Sequence, residues 1–195
     1  MTVTIDTLNG DEVLAAIDDL AALRMTVFAR WPYLYDGDVG YEADYLREFV
    51  EAPSAVLVAA RDDGRIVGAA TGSPMAAQKA QFRAPFAARG LDVESLFYFG
   101  ESVLLPEYRG QGIGHAFFDH REAQARRCGA QAATFAVVIR PLDHPDRPAD
   151  YRPLGPFWQK RGYEPVEGFV TEFAWKDHRD EGDTPKPMQY WLRRL

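Results

Sequence analysis

A glycine-rich turn, 109–114 (RGQGIG), is the feature that most restricts how this chain of 195 residues can fold. It lies between a predicted strand, 95–105, and a predicted helix, 113–128. Glycine leaves backbone amides unshielded, and the first turn of a helix has unpaired N–H groups and a partial positive charge. The sequence therefore predicts a strand, an anion-binding turn and a helix. The alternative is a tight turn in which glycine supplies only dihedral freedom.

Two well-known phosphate loops do not fit this turn. A Walker A loop has Lys and then Ser or Thr after its last glycine, where this chain has His115 and Ala116. A dinucleotide-binding turn has the spacing Gly-x-Gly-x-x-Gly, whereas Gly110, Gly112 and Gly114 alternate. The next predicted strand also ends without an acidic residue for a ribose. Neither motif accounts for the turn.

Composition and charge limit the function classes. The chain is 47% hydrophobic and 26% charged, as in an ordinary globular domain, and its length favours a single domain over residues 1–195. A net charge of -7 disfavours nucleic acid as a partner, and it means that local features must hold any anionic ligand. With no apolar run of about 20 residues and no leader-like N-terminus, we expect a cytoplasmic protein without a membrane partner.

Cysteine and histidine usage argues against a metal site. One cysteine excludes an internal disulfide framework and a Cys-based zinc site. The four histidines, at positions 115, 120, 144 and 178, lack the spacing of metal ligands on a helix. We therefore expect no metal cofactor.

Hydrophobic periodicity and turn residues predict an α/β (α+β) chain with hairpins, in the order β-α-α-β-β-(α)-β-α-β-α-β-β. Gly100 interrupts one strand and indicates a bulge or a close backbone approach. The predicted helices are 11–30, 41–51, a helix-like segment over 75–91, 113–128 and a short helix over 154–162. The predicted strands are 3–8, 55–61, 66–72, 95–105, 132–139, 163–175 and 188–195, with a charged loop over 176–187.

The segment 103–114 (VLLPEYRGQGIG) resembles the acetyl-CoA signature of the GNAT superfamily of N-acetyltransferases, Arg/Gln-x-x-Gly-x-Gly/Ala. Arg109, Gly112 and Gly114 stand at its defining positions. The lead-in, hydrophobic-x-Pro-x-Tyr, is matched by Leu104, Pro106 and Tyr108. A later segment, 157–165 (FWQKRGYEP), resembles the family's short helix followed by a strand, and the predicted element order fits the family fold along most of the chain.

The resemblance implies a mixed central sheet of about six to seven strands, splayed at the cofactor slot and flanked by helices. It implies an acyltransferase that moves an acetyl group from acetyl-CoA directly to a primary amine of a small-molecule or amino-acid-like acceptor. In such a fold, turn amides bind the CoA pyrophosphate, and the preceding strand pairs with the pantetheine arm. The implied cofactor-binding residues are Val103, Leu104, Leu105, Arg109, Gly110, Gln111, Gly112, Ile113 and Gly114.

Glu101 and Tyr163 are the candidate catalytic residues. Glu101 lies just before the turn, where similar enzymes often carry a carboxylate that acts as general base. The alternatives are a Glu that faces outward or one that is paired with an arginine. Many relatives carry a late-helix tyrosine as general acid, but this chain has Trp158 there, and an indole is a poor acid. Nearby residues that could replace the tyrosine as general acid are Tyr163, Tyr151 and His144. Trp158 itself is expected to pack against pantetheine.

The acceptor side is less defined. Residues 30–45 carry five aromatics with Asp36, Asp38 and Glu42, which predicts either an acidic aromatic pocket for a cationic amine or a packed loop with a solvated acidic turn. The segment 140–152 mixes arginines with aspartates and either borders the acceptor site or forms surface ion pairs. A non-catalytic acyl-CoA-binding module of the same fold is the alternative function. Both a monomer and a homodimer stay open.

Overall fold

The computed structural model describes residues 3 to 195. Their seven strands form one sheet with the order β1-β2-β3-β4-β5-β7-β6. The strands are β1 (Thr4–Leu8), β2 (Val56–Asp62), β3 (Arg65–Pro74), β4 (Leu96–Leu104), β5 (Ala132–Val138), β6 (Glu164–Trp175) and β7 (Thr184–Arg194). The helices are α1 (Gly10–Ala15), α2 (Ile17–Phe28), α3 (Val39–Glu51), α4 (Ala80–Ala87), α5 (Ile113–Arg127) and α6 (Gly155–Lys160). Short 3₁₀ turns lie at Met75–Ala77, Val93–Ser95 and Pro106–Tyr108.

The sheet opens in its middle, between β4 and β5. These two strands are parallel, whereas all other neighbours are antiparallel. They pair over three positions, the last of which joins Tyr98 to Thr134. Beyond it, β4 pairs with β3 alone up to Leu104, and β5 pairs with β7 alone up to Val138. The strands therefore separate toward their carboxyl ends, which confirms the predicted mixed, splayed sheet.

A bulge in β4 lies at the base of this gap. The register between β3 and β4 shifts so that Gly100 and Glu101 both lie opposite Thr71. A Cβ atom at Gly100 would lie 2.6 Å from Thr71 Oγ1, so the position requires glycine. Of the two alternatives predicted from Gly100, the bulge is present, and it sets the direction in which Glu101 points.

The core has two clusters on opposite faces of the sheet. Successive residues of β5 point to opposite faces of the sheet, so that Phe135 belongs to the larger cluster and Ala136 to the smaller. Helices α1, α2, α3 and α5 cover the larger cluster, while Phe86 of α4 packs with Phe169 and Tyr190 in the smaller one. No helix within residues 3 to 195 is long and apolar enough to cross a membrane.

Three segments differ from the predictions. The helix predicted over 11–30 is divided into α1 and α2 at Ala16, whose φ of -105° and ψ of 12° leave the helical range. Helix α4 continues through Pro85. The charged loop predicted over 176–187 ends earlier, because β7 begins at Thr184. Over 184–187, β7 is in register with β6 alone. Its other edge accommodates two prolines, and the Pro187 carbonyl there accepts from the Ile139 amide at 2.8 Å.

Candidate active site

The glycine turn has the geometry of an anion site. Gly110 and Gly112 have φ angles of +77° and +84°, which favour glycine. Gly112 precedes the first residue of α5, and no side chain caps that end of the helix. A Cβ atom at either glycine would meet no atom within 4 Å, so the space before the helix is open. The amides of the first turn are therefore accessible to a ligand.

The residues before the turn fix it to the sheet. The Tyr108 hydroxyl donates to Asp62 Oδ2 at 2.8 Å, which ties the turn to the β2–β3 hairpin. The Leu105 amide donates to the Val67 carbonyl at 3.0 Å, on the β3 side. The opposite edge of β4 has no strand partner beyond Tyr98. That edge, which includes Val103 and Leu104, is open for an added strand.

An apolar cavity of about 330 Å³ lies at the carboxyl end of β5, beside the gap. Its lining is largely aromatic and aliphatic, and it includes Trp31, Val137, Tyr151, Trp158 and Trp191. The Trp158 ring packs 5.2 Å from the Phe135 ring and 5.1 Å from the Trp191 ring, measured between centroids. Trp158 therefore forms a wall of the cavity, in agreement with the packing role expected for it, while its contact with a cofactor stays a prediction.

Glu101 lies in the bulge with both carboxylate oxygens engaged. Oε1 pairs with the Arg24 guanidinium, and Oε2 accepts the Tyr45 hydroxyl at 3.1 Å. Its amide donates to Thr71 Oγ1 at 3.2 Å, and its side chain is 9% exposed. Of the alternatives to a base, the arginine pair is therefore present and the outward-facing Glu is not. Each carboxylate oxygen keeps a second lone pair that could accept a proton. The base role of Glu101 therefore stays a prediction.

Sequence reasoning missed Arg24, and it included Tyr45 only among the five aromatics of residues 30–45. Arg24 is 7% exposed, pairs with Glu42 as well as Glu101, and stacks 4.3 Å from the Tyr45 ring. Burial lowers the pKa of Arg24, but the neighbouring Glu101, Tyr45 and Glu42 outweigh burial and raise it, so the guanidinium stays charged. The signal was available, because Arg24 lies four residues after Leu20 on the apolar stripe of its helix.

The acidic residues proposed to surround a cationic acceptor are each engaged elsewhere. Asp36 Oδ2 accepts from Lys176 at 2.6 Å, and Asp38 caps α3. Glu42 is 1% exposed and pairs with Arg24. These contacts do not form the acidic pocket, and they favour the packed loop with an acidic turn.

Arg140 joins the loop between α2 and α3 to the loop between β6 and β7. Its guanidinium binds both carboxylate oxygens of Asp177 at 2.7 and 3.0 Å. It also donates to the carbonyls of Pro32 at 2.8 Å and Tyr33 at 2.7 Å. We call these four residues the Arg140 joint. Since Arg140 and Asp177 are nearly buried, the joint is an internal connection rather than a surface ion pair.

The structure corrects the assignment of Tyr163 as a catalytic acid. Tyr163 is fully buried, and its ring packs between Phe99, Phe118 and Phe135. Its hydroxyl donates to Glu122 Oε1 at 3.1 Å, and burial, with the Glu122 charge, raises its pKa. The sequence placed Tyr163 close to Trp158 but did not show that its side chain enters the core.

We expect Tyr163→Phe to leave the turnover number within about twofold of the parent, because the hydroxyl contacts only Glu122. The free energy of unfolding should fall by about 1.5–3 kcal/mol, the usual contribution of a hydrogen bond to a charged group. Urea denaturation and steady-state kinetics check both values. A hundredfold loss of turnover at unchanged stability would restore the catalytic assignment.

The other two substitutes lie nearer the cavity. Tyr151 lines it and packs 5.9 Å from the Trp31 ring, and partial burial raises its pKa. The His144 ring packs 5.0 Å from the Trp31 ring, and its Nδ1 accepts from the Asp146 amide at 3.2 Å. Of the three substitutes, Tyr151 is therefore the one that lines the cavity.

Comparison with known proteins connects this geometry to a family. The model of the acetyltransferase (GNAT) family matches residues 20–148, more than half of the chain. No curated protein matches the sequence. Among solved structures, a likeness extends to an aminoglycoside 6'-acetyltransferase type Ii, at 18% identity and a TM-score of 0.61, covering 98% of this chain and 96% of that one.

Two further structures cover the chain to a similar extent. An aminoglycoside 6'-N-acetyltransferase complexed with coenzyme A is 17% identical, with a TM-score of 0.62 and coverage of 98% and 96%. A ribosomal-protein-alanine N-acetyltransferase from Brucella melitensis is 13% identical, with a TM-score of 0.64 and coverage of 98% and 99%. At such identities the structures establish the fold. Together with the family match and the splayed sheet, they show that this chain belongs to the GNAT acetyltransferase family.

Proposed function

We propose that the protein transfers an acetyl group from acetyl-CoA to a primary amine of a small-molecule or amino-acid-like acceptor, by direct transfer. The observation that carries the proposal is the gap between β4 and β5, which leaves the edge of β4 open beyond Tyr98. The same strand leads through the glycine turn to the uncapped start of α5. A CoA molecule needs both features, one for its amide-containing arm and one for its pyrophosphate.

The residues present fit CoA. The space beside Gly110 and Gly112 is open, and no side chain caps the start of α5, so backbone amides of 110–114 would hold the pyrophosphate without any net positive charge on the protein. The backbone of 103–105 would pair with pantetheine, and Trp158 would border it. When bound, acetyl-CoA supplies an acyl group on a good leaving group. The aminoglycoside 6'-N-acetyltransferase that was solved in complex with coenzyme A has the same fold, which supports this choice.

In the proposed reaction the neutral amine forms a C–N bond with the acetyl carbonyl carbon, and the C–S bond breaks. The amine, an ammonium at neutral pH, loses one proton before attack and a second as the amide forms, and the departing thiolate gains one. Glu101 accepts the first proton through the acceptor positions that Arg24 and Tyr45 leave free, while these two side chains hold the carboxylate in place. Tyr151 replaces Tyr163 as the candidate proton donor, because it lines the cavity.

The alternative is an acyl-CoA-binding module without transfer activity. Two observations favour it: Glu101 is held in a buried ion pair, and Tyr163 is in the core. The two functions share the cofactor site and differ only in turnover.

Release of free thiol from acetyl-CoA, measured across a panel of primary amines, separates them. We expect at least one amine to raise thiol release well above the rate without amine, with the acetylated amine detected by mass spectrometry. Calorimetric titration with CoA is the companion measurement. Tight CoA binding without turnover on any amine would support the binding module, and absence of CoA binding would contradict both functions.

A further inference from the structure

Arg121, in the middle of α5, is a buried cation with no carboxylate partner among the described residues. It is 1% exposed, and its guanidinium stacks 4.3 Å from the Phe99 ring and 4.8 Å from the Phe118 ring. Burial lowers the pKa of Arg121 to about 10, which still leaves it charged at neutral pH. A buried charge without a counterion is unfavourable unless hydrogen bonds satisfy it. The partners of Arg121 therefore indicate what it does.

Those partners are backbone carbonyls of the bulge. Nη1 donates to the carbonyl of Glu101 at 3.1 Å and to that of Thr71 at 3.3 Å. Nε donates to the Phe117 carbonyl in its own helix at 3.1 Å, and Nη2 has no partner. Thr71 and Glu101 are the residues that face each other where the β3–β4 register shifts. Arg121 thus bridges the two strands at the point where their own ladder is interrupted.

We propose that Arg121 is a positioning residue: it fixes the β4 bulge and so sets the direction of the Glu101 carboxylate toward Arg24 and the gap. An apolar side chain of similar length would fill the same space between the two rings but could not bind either carbonyl. The position of a bulge next to a reacting group decides where that group points.

The same helix connects this bulge to the cofactor turn. Arg121 lies eight residues after Ile113, so about 12 Å of α5 separates the bulge from the amides that face the pyrophosphate. A rigid helix of this kind keeps the cofactor turn and the Glu101 carboxylate at a fixed distance and orientation relative to each other. This inference rests on the proposed role of Glu101 as a base. Its test must therefore distinguish failure of the positioning role of Arg121 from failure of the base role of Glu101.

Arg121→Met is the informative variant, since it keeps the length of the side chain and removes the donors. We expect an unchanged circular dichroism spectrum and a CoA affinity within about threefold of the parent. The turnover number should fall about 10- to 100-fold, with the KM for the amine nearly unchanged, because misplacement of a catalytic group by about 1 Å can cost this much. Arg121→Lys keeps one donor and should recover part of the rate. Arg126→Met, at an exposed position of the same helix, is the control and should behave as the parent.

A crystal structure of Arg121→Met, or of Arg121→Lys if the first does not fold, provides a readout independent of activity. We expect the register shift at Thr71 to move or the pair between Glu101 and Arg24 to break. An unchanged bulge and ion pair, or a turnover number within about twofold of the parent, overturns the proposal. A moved bulge combined with full activity of Glu101→Gln leaves the positioning role in place and rejects the base role of Glu101.

Discussion

Replacement of Gly112 by valine is expected to weaken CoA binding at least a hundredfold while the protein stays folded. The open space before α5 is where the added side chain would stand, and it is the space assigned to the pyrophosphate. A hundredfold loss corresponds to about 2.7 kcal/mol, a reasonable cost for excluding a charged group from several amides. Calorimetric titration with CoA measures the loss directly.

Because Gly112 has a positive φ, valine also strains the backbone, and two companion variants separate strain from steric exclusion. Gly90→Val introduces comparable strain at a φ of +69°, with open space around it and away from the turn, and should keep CoA affinity. Gly114→Ala lacks the strain, since its Cβ atom would lie an ordinary 3.6 Å from Phe157 Cζ. It should still weaken CoA binding about tenfold. Parental affinity of both turn variants would contradict the pyrophosphate assignment.

Glu101→Gln is expected to lower the turnover number by about 100- to 10,000-fold at neutral pH, the range typical of a lost general base. Glutamine has nearly the same shape and can still accept from Tyr45, so the bulge should persist. An amine with a pKa near 10 is protonated at pH 7 and must lose a proton before attack. Since the amine is neutral at higher pH, the deficit should shrink as the pH approaches about 10. Parallel pH–rate profiles of variant and parent would reject a base role.

Glu107→Gln is the matched control for this experiment. Glu107 is an exposed carboxylate on the turn after β4, and its side chain makes no hydrogen bond in the structure. The variant carries the same change in net charge and should keep the parental rate. Thermal denaturation of both variants shows whether loss of the ion pair with Arg24 lowers the stability of Glu101→Gln. It thereby shows whether a lower turnover number of that variant reflects partial unfolding.

Features that depend on local sequence were predictable. The glycine turn and the start of α5 follow from residues 109–114, because positive φ angles and an uncapped helix end are encoded within a few positions. Gly100 indicated the bulge for the same reason. The splay between β4 and β5 followed from the family resemblance and not from periodicity, which does not report how far a parallel pair extends.

Features that depend on contacts between distant segments were not predictable. Arg24 and Glu101 are 77 positions apart, and nothing near Glu101 indicates that a helix from the first part of the chain supplies its counterion. Tyr163 was assigned by its proximity to Trp158 in sequence. Its side chain enters the core because it packs between aromatic residues of β4, α5 and β5, which a linear pattern does not reveal.

The Arg140 joint has a consequence for exchange of segments between relatives. It connects residues 32–33 with Asp177, and the region matched by the family model ends at residue 148, before Asp177. A chimera that replaces the loop with Asp177 alone would leave the nearly buried Arg140 guanidinium without its carboxylate, at a cost of about 3–5 kcal/mol. The segments that carry Arg140 and Asp177 should therefore be exchanged together, because each of these two side chains requires the other.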